Sequence, residues 1–295
     1  MLLVTFSSDD NEDRLGVQLD NEVVDVGALA SARHATVPAT LLEAVRMGGD
    51  GIAALLSDPV PGAFRRPIKD VTLRAPLRPG KVIGVGLNYT EHVAESARTL
   101  DTDKELPQRP VLFSKPATAV VGPGEPIQHN GDLTAQLDWE CELAVVIGRT
   151  AKRVPAESAM RHVFGYSIVN DISARDQRRS GQWFYSKGQD SFAPFGPAIR
   201  TADDVGDPYA LELSLRVNGE VKQKSSTKYM LFRIPELIAD ITAGMTLEPG
   251  DVIATGSPAG VGASFTPPQY LKPGDVVEAT VQNIGTLRNP VVDAR

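Results

Sequence analysis

Leu137-Asp138-Trp139-Glu140-Cys141-Glu142-Leu143-Ala144-Val145-Val146-Ile147-Gly148 alternates acidic and apolar residues, then runs on without a polar break. Alternation of this kind, rich in β-formers, predicts a strand. Residues two apart on a strand face the same way, so Glu140 and Glu142 project side by side. Two carboxylates that close raise each other's pKa unless a cation stands between them. Further along, Phe164 to Val169 predicts a buried strand that ends in Asn170-Asp171. A third carboxylate at Asp171 completes an oxygen-rich site suited to Mg²⁺ or Mn²⁺. The competing reading is an amphipathic strand whose two glutamates face solvent.

Composition narrows the class. The chain has 295 residues, 42% of them hydrophobic and 23% charged, as expected of an ordinary globular protein. A net charge of -7 argues against nucleic acid or an anionic membrane as partner. No apolar run is long enough to span a bilayer, and no signal-peptide pattern opens the chain. The single cysteine, Cys141, excludes an internal disulfide and predicts a reducing, cytoplasmic setting. Lying between two glutamates of a strand, it should face the apolar interior and serve packing, not catalysis. Twenty-two prolines and 26 glycines predict many turns between short strands, hence a β-dominated α+β protein.

Residues 1–75 predict a small α/β module, with strands Met1–Phe6, Arg14–Leu19 and Glu22–Val26 and helices Leu41–Arg46 and Gly51–Leu56. Thr40 is the expected cap of the first helix. The Pro- and Gly-marked stretch from Ala75 to Gly80 predicts a boundary, leaving 76–295 as the main domain. There, Lys81–Gly86 predicts a buried strand leading to a short helix from about Glu91, with Asn88 or Thr90 as cap. His92 and Glu95, three apart, share a face of that helix, where a carboxylate can orient an imidazole as general base. The same spacing also describes an ordinary surface pair. Thr99–Arg109 predicts a mobile polar loop. Pro110–Ala117 predicts a strand and Pro155–His162 a helix. Gly181–Pro197 predicts an irregular aromatic segment in which Lys187 either reaches into a cleft or is solvated. Leu211–Val217 and the return from Val221, joined by Asn218-Gly219, predict a hairpin. Ile234–Thr242 predicts a helix with Ile234, Leu237, Ile238 and Ile241 on one face. A strand from Asp251 then runs into a glycine-rich turn whose N–H groups could hold a carboxylate, with Thr255 adding a hydroxyl. A last hairpin is predicted over Gly274–Gly285.

Six motifs occur in order: Gly86-Leu-Asn-Tyr-x-x-His92-x-x-Glu95, Asp138-Trp-Glu140-x-Glu142-Leu, Val169-Asn-Asp171-x-Ser-Ala-Arg-Asp, Gly181-Gln-Trp, Lys187-x-x-Asp-x-Phe-x-Pro-x-Gly-Pro, and Ala254-Thr-Gly-Ser-Pro-Ala-Gly-Val-Gly. Together they resemble the fumarylacetoacetate hydrolase family over residues 80–293. The resemblance implies a mixed β-roll or sandwich core behind a small N-terminal extension, and a homodimer with one divalent cation per subunit. It implies Glu140, Glu142 and Asp171 as metal ligands and His92, Glu95 and Lys187 as catalytic residues. Asn88, Tyr89, Thr255, the backbone of Gly256 and Gln177 become candidates for holding a small 2-oxo acid. Two features depart from the pattern: Ser257 replaces the commoner Thr, and Asp176–Gly181 is one residue shorter.

The chemistry expected from this set is C–C hydrolysis of an acylpyruvate or related 2,4-dioxo acid. A cation bound to the substrate's carboxylate and keto oxygen would stabilise an enolate, Lys187 would add positive charge, and His92 would activate water. The same enolate also serves oxaloacetate decarboxylation or isomerisation of a 2-hydroxydienoate. A non-catalytic metal-binding protein is the reading from another class, and a complete set of acid–base residues argues against it.

Overall fold

The computed structural model describes residues 1–8, 11–91 and 106–294. His92, Glu95 and the first part of the polar loop predicted over 99–109 lie outside the described residues. At the centre of the fold, Cys141–Ile147 pairs antiparallel with Val163–Asn170, with Glu142 opposite Val169 and Cys141 opposite Asn170. Every residue of Cys141–Ile147 is buried. Cys141, Leu143, Val145 and Ile147 enter one core, whereas Ala144 and Val146 enter a second on the opposite face. A strand covered on both faces needs apolar residues at every position, which is why the run after Glu142 has no polar break.

Around this pair the sheet runs in the order Arg65–Pro67, Glu22–Asp25, Arg14–Leu19, Leu2–Ser7, Ala193–Thr201, Val163–Asn170, Cys141–Ile147, Val252–Ala254, Val82–Gly86, Val111–Lys115. A second sheet, Glu220–Ser226, Glu212–Val217, Val276–Val281, Gly285–Asp293 and Ile127–His129, faces it across the larger core. The helix Ile234–Gly244 closes that core with Ile234, Leu237, Ile238 and Ile241 buried, and Glu236 accepts the Arg233 N–H at its start. The result is a β-dominated α+β fold. Leu3 pairs with Ile199, so the first 75 residues extend the same sheet. The division at 75/76 is thus a proposal about folding units, not a break in hydrogen bonding.

Local predictions hold where side-chain chemistry is local. Thr40 accepts the Glu43 N–H at the start of Leu41–Met47, and Asn218-Gly219 turns the 212–226 hairpin with φ of 52° and 81°. Elsewhere the structure differs. Asp25 ends its strand by capping an unforeseen helix, Val26–Ala32, through the Ala28 N–H. The segment expected to be irregular contains the helix Trp183–Lys187 and the strand Ala193–Thr201. There, tertiary packing decides: Trp183 packs tilted against Phe113, ring centroids 5.6 Å apart, and fills the space beside Gly86. The last hairpin pairs Val276–Val281 with Gly285–Asp293, so Gly285 opens its second strand instead of ending it. No helix among the described residues is long and apolar enough to cross a membrane.

Candidate metal centre

Asp171 follows the end of its strand, and Glu142 sits at the start of the neighbouring one. Glu140 precedes the Cys141–Ile147 strand instead of lying on it. Its backbone is fixed from two sides: its N–H donates to Asn170 Oδ1 (3.0 Å), and its C=O accepts the Asp171 N–H (2.8 Å). The three carboxylates each place an oxygen within 4.8 Å of the others. Glu140 is 5% exposed, Glu142 1% and Asp171 0%, so the solvent-facing reading of the two glutamates does not hold.

Lys187 ends its helix with Nζ buried among these acids, 2.5 Å from Asp171 Oδ2, 3.1 Å from Glu140 Oε2 and 2.8 Å from Ser173 Oγ. Burial opposes its charge, but Asp171 and Glu140 outweigh that and raise its pKa above the ordinary lysine value. It remains an ammonium. The Phe113 ring lies 4.8 Å behind Nζ. Phe113 and Trp183 also line an adjoining cavity of about 520 Å³.

Two cations here were not singled out from sequence. Lys115 Nζ stands 2.6 Å from Asp171 Oδ1 and donates to the carbonyls of Ile172 (3.0 Å), Phe192 (2.6 Å) and Lys187. Full burial pushes its pKa down to about 8 against the pull of Asp171. The signal was strand parity: Lys115 shares a face with Phe113, whose ring is buried. Arg175 reaches Asp138 Oδ2 at 2.8 Å with Nε and Glu140 Oε1 at 2.6 Å with Nη2.

Glu142 differs from its neighbours. Its Oε2 accepts the Gly256 N–H at 2.9 Å, but no cation lies within ion-pair distance among the described residues. Burial and the charges of Asp171 and Glu140 push its pKa well above the carboxylate range. Among the described residues, four buried carboxylates, Asp138 included, thus share three cations, and Glu142, left without one, keeps its proton. A hard set of carboxylate oxygens in which one acid lacks a counter-charge fits a Mg²⁺- or Mn²⁺-type dication that would take the place of that proton, with Glu140, Glu142 and Asp171 as its holders.

The remaining candidates lie around this group. Asn88 is buried, donates to Phe232 O (3.0 Å) and Thr255 O (2.7 Å), and accepts the Phe232 N–H (2.7 Å). Tyr89 is fully buried, and its hydroxyl has no hydrogen-bond partner among the described residues; burial, Cys141 and Glu142 raise its pKa. Thr255 Oγ1 donates to Leu143 O (2.8 Å), and the Gly256 N–H serves Glu142. Gln177 donates to Leu133 O and accepts from Arg179 (2.5 Å). The hydrogen-bonding groups of Asn88, Thr255 and Gln177 are thus engaged within the protein. Cys141 is buried in the core, away from the glutamate face, and burial with the Glu142 charge raises its thiol pKa.

The family model described as fumarylacetoacetate (FAA) hydrolase C-terminal matches residues 81–292. The chain belongs to the fumarylacetoacetate hydrolase family. Oxaloacetate tautomerase YisK of Bacillus subtilis is 41% identical over 267 residues, covering 87% of each chain. A solved fumarylacetoacetate hydrolase from Exiguobacterium antarcticum is 40% identical, with a TM-score of 0.83 and full coverage of both chains. A maleylpyruvate hydrolase from a Sphingobium species, solved with manganese(II) and pyruvate, is 32% identical with a TM-score of 0.80, again over both whole chains. A solved 2-hydroxyhepta-2,4-diene-1,7-dioate isomerase from Mycobacterium marinum is 37% identical with a TM-score of 0.73, covering 99% of this chain and 98% of that one. The chain is thus similar to family tautomerases and isomerases as well as hydrolases, which supports the alternative drawn from sequence better than its hydrolase reading.

Proposed function

We propose that this protein is a divalent-cation-dependent enzyme interconverting the enol and keto forms of oxaloacetate or a closely similar 2-oxo diacid. The observation that carries the reading is the Lys187 ammonium set against Glu140 and Asp171, in a chain 41% identical to an oxaloacetate tautomerase. Enol-to-keto conversion removes a proton from the C2 oxygen and delivers one to C3, passing through an enolate. Glu140, Glu142 and Asp171 would hold the cation, which would supply Lewis-acid stabilisation of the negative charge that develops on the C2 oxygen. Lys187, kept protonated by its acidic neighbours, exchanges its hydrogen bond to Ser173 Oγ for one to the C2 oxygen as charge develops there. The Phe113 and Trp183 rings, 4.8 and 6.0 Å from Nζ, present apolar faces to the ammonium, and a low local dielectric there strengthens its field. His92, oriented by Glu95, is the proposed carrier of the proton between oxygen and carbon, on the strength of the motif alone.

Acylpyruvate hydrolysis is the second reading, favoured by the likeness to the maleylpyruvate hydrolase bound to manganese(II) and pyruvate. It uses the same enolate, but the enolate departs after water attacks the distal carbonyl. Product analysis separates the two. Incubation with enol-rich oxaloacetate and with acetylpyruvate, followed by proton NMR, is expected to show keto oxaloacetate and intact acetylpyruvate. Rapid release of pyruvate and acetate from acetylpyruvate would establish the hydrolase instead.

A further inference from the structure

Asp138 and Arg175 belong to the motifs around the metal centre, yet neither is one of the three grouped carboxylates. Asp138 is 0% exposed and collects four donors. Its Oδ1 accepts the N–H groups of Trp139 (2.8 Å) and Gly262 (2.6 Å); its Oδ2 accepts Ala263 N–H (3.0 Å) and Arg175 Nε (2.8 Å). Gly262 and Ala263 close the glycine-rich turn that begins at Thr255, and Gly256 in that turn donates to Glu142. Only glycine fits at 262: an added Cβ would lie 2.0 Å from Gln269 O and 2.7 Å from Asp138 Oδ1. Trp139 Nε1 ties down the same turn through Gly260 O at 3.0 Å. Arg175 carries the bracket to the other glutamate through its contact with Glu140 Oε1. The register is set by a two-stranded pairing of Leu137–Asp138 with Ser173–Ala174, which puts Asp138 opposite Ser173 and Arg175 just beyond.

We propose that Asp138 and Arg175 are positioning residues that hold both glutamates of the cation site in ligating orientation, Glu140 through the guanidinium and Glu142 through the glycine-rich turn. This rests on the reading of Glu140, Glu142 and Asp171 as cation ligands, but not on which reaction is catalysed. A planar guanidinium bridging two carboxylates fixes their mutual angle, which the compact ammonium of lysine cannot do. Groups of this kind outside the ligand set change metal affinity about 10–100-fold when altered.

The test is Mn²⁺ binding to the EDTA-stripped full chain, read from the EPR signal of free Mn²⁺, beside thermal melting. Arg175→Lys and Asp138→Asn are expected to weaken Mn²⁺ binding about 10–100-fold. The double variant is expected to fall short of the sum of the two singles, since the Asp138–Arg175 contact is lost in each. Asp251→Asn is the control, because Asp251 is equally buried but holds Lys81 at the far end of its strand. It should lower the melting temperature and leave the Mn²⁺ affinity alone. Should Arg175→Lys fail to fold, Asp138→Asn, which keeps the side chain's size, decides. Unchanged affinity in the folded variants, with only the melting temperature lowered, overturns the bracket while the cation site stands. Absence of Mn²⁺ binding by the unsubstituted protein overturns both.

Discussion

Lys187 Nζ lies 2.5 Å from Asp171 Oδ2 at the end of a helix of five residues, in a place where a solvated lysine would face water. The contact makes Asp171 a shared anchor, with Lys187 on one oxygen and Lys115 on the other. The two lysines do different work. Lys187 packs against Phe113 of the cavity wall, where the proposed substrate would lie, whereas Lys115 is enclosed by carbonyls. Lys187→Met is therefore expected to keep divalent-cation binding and to lower kcat roughly 10²–10³-fold, as loss of one oxyanion donor does. Steady-state kinetics beside Mn²⁺ titration checks this.

Lys115→Met should act on stability instead. It leaves three buried backbone carbonyls without their donor and one Asp171 oxygen without its counter-charge. Removing one partner of a buried ion pair costs about 3–5 kcal/mol. Denaturant unfolding of the metal-free protein should register a loss of that size, and a loss under about 1 kcal/mol would contradict the assignment.

Glu142 makes cation binding pH-dependent. Its folded-state pKa is raised by burial first, then by Asp171 and Glu140, so the metal-free fold holds a proton that the unfolded chain releases. Ionising this group opposes folding of the metal-free protein, by an amount that grows as pH rises from about 4.3 towards the folded value. A bound dication removes that opposition. The rise in melting temperature on adding Mg²⁺ is therefore expected to grow from about pH 5 to about pH 8, with proton release visible in calorimetry across buffers of different ionisation enthalpy. Glu142→Gln should abolish both effects.

Much of this was legible in the chain because it depends on local chemistry. The Glu-x-Glu alternation, the Asn-Gly turn, the Thr40 cap and the apolar face of 234–244 follow from spacing alone. What could not be read is set by residues distant in sequence. The Trp183–Lys187 helix forms because Trp183 meets Phe113 and Gly86, some seventy and a hundred positions away. Lys115 reads as a strand-end lysine until Ile172, Lys187 and Phe192 close around it. Arg175 was visible only as a letter in a motif. Its partners, Asp138 and Glu140, converge through strand pairing that no local pattern encodes.

Cys141 offers a check on the core itself. It is fully buried, and burial with the nearby Glu142 charge raises its pKa. A thiol reagent should leave the native protein unlabelled and modify one cysteine per chain only after unfolding. Fast labelling of the native protein would contradict the packing described for the Cys141–Ile147 strand.

The most direct test of the central claim is the decay of enol oxaloacetate, followed by its ultraviolet absorbance after dilution into buffer. Three samples suffice: protein with Mg²⁺, protein with EDTA, and Glu142→Gln with Mg²⁺. Decay well above the uncatalysed rate in the first sample, and at the uncatalysed rate in the other two, is the predicted result. Equal decay in all three would contradict a cation-dependent tautomerase built on Glu140, Glu142, Asp171 and Lys187.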